Sequence, residues 1–184
     1  WLPYIEVDNV DEGVERVAAL GGLVLFGPKD IPGTGRFAVV ADPQGATFAI
    51  YRPFDRAQPF DGTRQLGRFV WHELITTNPI AAFEFYSAMF GWEGTSEFDM
   101  GPEMGRYQMF GHGKAEYGGI YKLTWQWGKA PPQWICYAHV RDVRALDHAR
   151  DLELSRGVQT ERVEEARPTP EQDRGDVDLH LVNH

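Results

Sequence analysis

The sequence predicts an α+β fold made of a repeated unit in which one strand is followed by one helix and three further strands. Short apolar runs typical of strands precede each of three helix signals, and more strand-like runs follow the first two helices. The opening segment also recurs late in the chain: residues 1–10, WLPYIEVDNV, match residues 134–143, WICYAHVRDV, at one Trp, one Tyr and two Val positions. Similarity of this kind indicates an internal repeat.

The first unit is predicted to occupy residues 1–52. In VDNVDEGVERVAALGG, Asp8 or Asn9 can cap a helix, acidic side chains favour its positive N-terminal end, and the glycine pair ends it. Three strand-like runs follow, at residues 23–26, 36–40 and 46–51. PGTG and DPQG separate these runs, and DPQG has Asp, Pro and Gly where a type I turn prefers them.

The second helix has the clearest apolar face in the sequence. In NPIAAFEFYSAMFGW, Asn78 is placed to cap the helix, Pro79 fits its first turn, and Gly91 ends it. The spacing of apolar positions predicts one buried stripe, made of Ala82, Phe85, Tyr86, Met89 and Phe90. The segments RYQMF and EYGGIYKL that follow predict two strands.

A third unit is predicted to pair with the second, within residues 68–184. Its helix would begin after Asp142 and end at Gly157. The remaining tail is polar, with one plausible strand at 177–182, so we predict a degenerate end to this unit. Residues 53–67, PFDRAQPFDGTRQLG, contain Pro, Gly and charge without periodicity and are predicted to be a linker.

Composition and charge argue against several classes of protein. The net charge of −9 disfavours a nucleic-acid-binding protein, which needs a basic face for phosphates. The longest apolar runs have strand length, which is too short to cross a membrane. Cys136 is the single cysteine, so we expect a buried thiol, no internal disulfide and a cytoplasmic protein.

Two motifs resemble a known superfamily. AAFEFYSAMFGW, the helix that ends in Phe-Gly-Trp, and GRFAVVADPQGATFAIY, a closing hairpin, resemble the vicinal oxygen chelate superfamily of glyoxalase I, bleomycin resistance proteins and extradiol dioxygenases. GGLVLFGPKDIPGTGRF is similar to its bacterial glyoxalase-like branch with tandem units. The resemblance implies repeated βαβββ units that form incurved mixed sheets around a cavity, with helices on the outer face.

In this superfamily two units pair to enclose one cavity, and the chain contains three units. Residues 1–52 therefore look like the second half of an incomplete pair. Such a unit would leave a sheet edge and an apolar face open. We predict that a second copy of the chain covers this surface, which gives a homodimer.

The resemblance also implies where metal ligands would lie. Metalloenzymes of the superfamily hold a divalent ion with a residue seven positions before each helix cap and with Glu seven positions after the Asp of the closing turn. Here these positions are Trp71, Ile135, Leu2 and Ala49, which offer no ligand. We therefore predict no metal ligand and no cofactor. A divalent metal belongs only to an alternative in which Glu73 and His139 bind it.

The segment VWHELITTN contains the candidate site residue. Successive side chains of a strand face opposite sides of the sheet, so Glu73 would face the cavity with Trp71, whereas His72 would face the helix layer. Glu73 is the candidate catalytic residue, as a general base, or an anchor for a cationic or hydroxyl-bearing ligand. A purely structural carboxylate is the alternative. The predicted ligand-binding residues are Trp71, Glu73, Tyr107, Tyr137 and His139.

The predicted function is the binding of a small aromatic or hydrophobic molecule in the sheet cavity. A concave sheet lined by aromatic side chains is how metal-free relatives such as bleomycin resistance proteins hold flat hydrophobic molecules. Two alternatives stay open: a metal-dependent lyase, isomerase or dioxygenase of the same superfamily, and a non-catalytic scaffold or interaction protein. Whether the chain is an enzyme is left open between them.

Overall fold

The computed structural model describes residues 1–55, 66–143 and 179–181, which contain two consecutive βαβββ units and the first strand of a third. The first unit comprises β1 (Tyr4–Glu6), α1 (Val10–Ala19), β2 (Leu23–Ile31), β3 (Gly35–Ala41) and β4 (Thr47–Pro53). The second comprises β5 (Phe69–Thr76), α2 (Pro79–Phe90), β6 (Glu93–Asp99), β7 (Arg106–His112) and β8 (Ala115–Lys122). A 3-10 turn (Trp125–Trp127), β9 (Gln133–His139) and β10 (Leu179–Leu181) follow.

Each unit folds into a mixed sheet with the same strand arrangement. The first sheet has the order β1-β4-β3-β2. The first and last strands of the unit along the chain, β1 and β4, are neighbours in this sheet and run parallel. The second has the order β10-β9-β5-β8-β7-β6, with β5 parallel to β8. There β9 pairs antiparallel with β5, on the edge that corresponds to the open edge of β1. The predicted α+β fold of repeated units is confirmed.

The helices begin and end where local chemistry satisfies their terminal backbone groups. The Asn9 side chain accepts hydrogen bonds from two first-turn amides of α1, and Asn78 accepts one from Ala81 in α2. Gly91 closes α2 in the left-handed conformation that glycine adopts without strain. The predicted stripe of α2 is buried except at Phe90, which is half-buried.

One hydrophobic core joins the two units. Phe48 of β4 packs against Phe85, Tyr86 and Phe90 of α2, with ring centroids 5.4–6.3 Å apart. Other buried members from the first unit include Val17 and Val40, and the second unit adds residues from β5, β7 and β8. The helix-facing sides of both sheets therefore contribute to one shared core. The opposite face of each sheet is not part of this core.

A buried hydrogen-bond chain fixes the turn between β3 and β4 to the second unit. One oxygen of Asp42 accepts from the amides of Gln44 and Ala46, and the other accepts from the Tyr86 hydroxyl at 3.1 Å. Trp134 of β9 donates to the same hydroxyl at 3.0 Å. Burial raises the pKa of Asp42. The DPQG turn of the sequence is thus tied to both α2 and β9.

Part of the predicted organisation lies outside the described residues. This applies to most of the predicted linker, to the third helix beyond residue 143 and to the tail, except that β10 falls within the predicted strand at 177–182 and pairs antiparallel with β9. The predicted boundaries at residues 53–67 stay predictions. Across the described ranges, helices are too short or too polar to span a membrane.

Candidate functional site

The side chains of β5 alternate between two different environments. Leu74 is buried in the core beside α2, and His72 shares its face, with Nδ1 3.3 Å from the Tyr117 carbonyl oxygen. Burial lowers the pKa of His72. Glu73 lies on the opposite face, where it meets tyrosines of β7 and β9. The strand therefore turns His72 away from Glu73, as alternation predicts.

Both oxygens of Glu73 accept short hydrogen bonds from tyrosine hydroxyls. Tyr107 of β7 donates to Oε1 and Tyr137 of β9 donates to Oε2, each at 2.7 Å. Trp71 donates its indole N–H to the Tyr107 hydroxyl at 2.9 Å. The carboxylate is half-buried and retains lone pairs for a further donor. These four side chains form one connected polar network, which we call the Glu73 network.

The network depends on a glycine in the strand between Tyr107 and Glu73. Glu73 lies directly opposite Gly119 of β8, and β8 lies between β5 and β7. A Cβ atom on Gly119 would collide with the ring and hydroxyl of Tyr107. The missing side chain therefore lets Tyr107 cross above β8 and reach the carboxylate.

Apolar and aromatic groups surround the Glu73 network. Tyr121 of β8 stacks on Tyr107, with ring centroids 5.6 Å apart and an interplanar angle of 23°. Ile75, Tyr121 and Ile135 are buried here. The partly buried side chains packed against them are Met100, Met104, Tyr107, Leu123, Trp127 and Tyr137. The result is a mostly apolar surface with one carboxylate at its centre.

The tyrosines that face Glu73 remain hydrogen-bond donors at neutral pH. Burial, and then the negative charge of Glu73, raises the pKa of Tyr107 far above its ordinary value. The same two causes raise the pKa of Tyr121. Phenolic groups in this environment keep their protons, so Tyr107 presents an O–H group to the carboxylate.

The structure brings together four of the five predicted ligand-binding residues: Trp71, Glu73, Tyr107 and Tyr137. The fifth, His139, lies further along β9. Ile135 is the β9 residue opposite Glu73, and His139 lies four residues further, about 13 Å along the strand. Its backbone pairs with Arg68.

Sequence reasoning missed Tyr121 as a member of the site. In EYGGIYKL it lies two positions after Gly119 and therefore faces the same side of the strand. That alternation was visible in the sequence. The pairing of β8 with both β5 and β7, which brings Tyr121 beside Tyr107, was not.

A separate groove of about 800 Å³ lies between the first unit and the end of α2. Its lining includes Glu6, Asp8, Glu12 and Arg16, and none of the residues of the Glu73 network. Arg16 also donates to the carbonyl oxygen of Ala88 across it. Phe90 and Trp92 also line the groove. We place the candidate site at Glu73 instead, because there two hydroxyls converge on one carboxylate beside several aromatic rings.

Comparison with known proteins gives relatives with related names. No protein-family model matches the chain. The chain is 32% identical over 146 residues to "Putative glyoxylase CFP32" of Mycobacterium tuberculosis, covering 79% of this chain and 54% of that protein. It is 40% identical over 91 residues to "Anthracycline biosynthesis protein DnrV" of Streptomyces peucetius, covering 50% and 33%. The chain spans about half the length, or less, of these curated relatives.

Similar solved structures include three enzymes. They are a catechol dioxygenase, BphC (TM-score 0.47, 16% identity, 83% of this chain and 56% of that chain), a 4-hydroxymandelate synthase mutant from Streptomyces coelicolor (0.44, 17%, 65% and 40%) and a glyoxalase I mutant from Zea mays (0.31, 19%, 84% and 54%). These neighbours are metal-dependent. These similarities contradict the prediction that the chain has no cofactor.

The described residues nevertheless do not fit a metal at the Glu73 network. On the neighbouring strands, the positions opposite Glu73 are Gly119 and Ile135, which have no ligand atoms in their side chains. Within the described ranges there is also no group of three His, Cys, Asp or Glu residues placed to hold an ion.

Proposed function

Because the chain belongs to the vicinal oxygen chelate superfamily, we propose that it binds a small aromatic or hydrophobic molecule on the face of the second sheet. Glu73 is the polar anchor of that site. The observation that supports this proposal is the Glu73 network itself: a half-buried carboxylate held by two hydroxyls and surrounded by aromatic and apolar side chains.

The composition of the surface suits a small organic ligand. Ligand sites in proteins are mainly apolar and contain few polar groups, which fix the orientation of the ligand. The partly exposed side chains of Trp71, Tyr107 and Tyr137 offer apolar contact area, and their ring faces can stack on a flat molecule. The free lone pairs of Glu73 can accept one further hydrogen bond from such a ligand.

The hydrogen bonds prearrange this site before any ligand arrives. Tyr107 is held by Trp71 on one side and by Glu73 on the other. A carboxylate and rings that already occupy their bound positions lose little conformational freedom on binding. A catalytic role for Glu73 stays a prediction.

The binding experiment uses 2-naphthol, a flat aromatic molecule with one hydroxyl donor. Isothermal titration with the whole chain should give saturable 1:1 binding. Trp71→Ala should weaken it about tenfold, the equivalent of one lost aromatic contact of about 1.4 kcal/mol. Trp125→Ala is the matched control, because Trp125 is 75% exposed and outside the network. Equal affinity of the two variants would place the site elsewhere.

We also propose that a second copy of the chain covers the first sheet. β1 is an edge strand there, whereas its counterpart β5 has its equivalent edge paired with β9. Leu23 and Leu25 of β2 are 63% and 54% exposed. Exposed apolar side chains together with an unpaired strand edge are typical of a surface that another chain covers.

A further inference from the structure

We propose that the Glu73 site selects organic cations, namely a substituted ammonium group attached to an apolar body. This inference rests on the proposed function and specifies the chemical class of its ligand. Three features of the described residues support it: the unpaired charge of Glu73, the aromatic rings around it and the charge of the chain.

The carboxylate of Glu73 accepts hydrogen bonds from neutral groups, and the described contacts give it no ion pair. Its described partners are the hydroxyls of Tyr107 and Tyr137, which are neutral donors. Among the described residues, the arginines that form ion pairs (Arg36, Arg52 and Arg106) use other carboxylates. A half-buried carboxylate without a cationic partner gains more from a positively charged ligand than from a neutral one, because the surrounding apolar groups weaken dielectric screening.

The rings around Glu73 add to the same preference. The faces of Tyr and Trp rings carry negative potential, and a cation above such a face is attracted to it. Three partly exposed rings, those of Trp71, Tyr107 and Tyr137, belong to the hydrogen-bond network of this carboxylate, and the buried Tyr121 ring stacks on Tyr107. Burial and the charge of Glu73 raise the pKa of Tyr107, so this ring stays neutral.

An anionic ligand is disfavoured at this site. It would meet the carboxylate of Glu73 across the same apolar surface, and like charges repel strongly where water is excluded. The net charge of −9 for the chain further raises the local concentration of cations and lowers that of anions. A neutral ligand keeps the apolar contacts but lacks the electrostatic gain.

The test compares two probes that differ by one atom. Phenyltrimethylammonium and tert-butylbenzene have the same shape, but the first has a positively charged nitrogen where the second has a carbon. In titrations of the whole chain at 0.15 M salt, about physiological ionic strength, the ammonium compound should bind at least about tenfold more tightly.

Variants connect this preference to Glu73. Glu73→Gln keeps hydrogen-bonding groups for both tyrosines but removes the charge, so the ratio of the two affinities should fall to about one while tert-butylbenzene binds as before. Glu84→Gln, at an exposed position of α2, is the matched control and should leave the ratio unchanged. A thermal melt of each variant checks that it is folded.

The possible results separate this inference from the proposed function. Equal binding of both probes to the unmodified chain, or tighter binding of tert-butylbenzene, overturns the cation preference and leaves the proposed aromatic site standing. Binding of neither probe, nor of 2-naphthol, overturns the proposed function itself. A preference that survives Glu73→Gln places the cation site at another carboxylate and also overturns the inference.

Discussion

The carboxylate of Glu73 is oriented by hydroxyls from two different strands. Tyr107 donates to Oε1 and accepts the indole N–H of Trp71, and Tyr137 donates to Oε2. Strand alternation predicted from sequence alone that Glu73 shares a face with Trp71. It could not predict that Tyr107 reaches the carboxylate, because this requires the order of three neighbouring strands and the gap above Gly119.

Tyr107→Phe should therefore destabilise the chain. The change removes the donor to Oε1 of Glu73 and the acceptor of the Trp71 indole N–H. Hydrogen bonds to a charged group contribute about 1.5–3 kcal/mol when buried, and partial exposure lowers this, so we expect a loss of about 2 kcal/mol. Urea unfolding measures this loss. An unchanged free energy of unfolding would contradict the network.

His72 should make stability depend on pH below about 6.5, its ordinary pKa. Burial lowers the pKa of His72 in the folded chain below 6.5. Between this lowered pKa and 6.5, His72 is therefore protonated more fully in the unfolded chain than in the folded chain. Stability should fall as the pH decreases below 6.5 and level off below the folded pKa. His72→Gln should remove this component, while the exposed His112→Gln should retain it. A profile unchanged by His72→Gln would contradict the assigned burial.

At the scale of elements, apolar patterning and capping residues identified both described helices and most strands. Two elements differ from the prediction. β2 extends from Leu23 to Ile31 instead of ending at residue 26, because an edge strand tolerates the Gly-Pro pair that usually indicates a turn. β6, EGTSEFD, was not predicted, because an edge strand largely exposed to solvent has no apolar run to reveal it.

Gly119 of β8 leaves the space through which Tyr107 of β7 reaches Glu73 of β5. Gly119→Ala should push Tyr107 away from Glu73, with a cost of about 1–3 kcal/mol in stability from overpacking and a weaker affinity for 2-naphthol. Gly94→Ala is the control, since a Cβ there mainly meets the movable side chain of Gln108. Titration and urea unfolding together report both effects. Normal binding by Gly119→Ala would show that the site does not need Tyr107 in place.

At the scale of the whole molecule, sequence similarity identified the repeat, and the structure shows how its units combine. The contact of Phe48 with α2 and the chain from Asp42 through Tyr86 to Trp134 could not be predicted, because they join segments far apart in sequence. These contacts make one core of two units. The superfamily resemblance seen in the helix and hairpin motifs is confirmed by the curated relatives.

The open first sheet predicts a dimer in solution. Light scattering at micromolar concentration should give twice the chain mass of 20.9 kDa. Leu25→Glu should reduce the mass to that of one chain, because a charge cannot be buried in an apolar interface without a large cost. Ile80→Glu, at a 75% exposed position of α2, should leave the dimer intact. A monomeric mass for the unmodified chain would contradict the proposed interface.

The central claim is that the face of the second sheet around Glu73 is the ligand site. A crystal structure of the chain with 2-naphthol tests it most directly. We predict electron density for the naphthol ring against Trp71 and Tyr137, with its hydroxyl within hydrogen-bond distance of Glu73. Density in the groove between the first unit and α2, with the Glu73 face vacant, would contradict the claim.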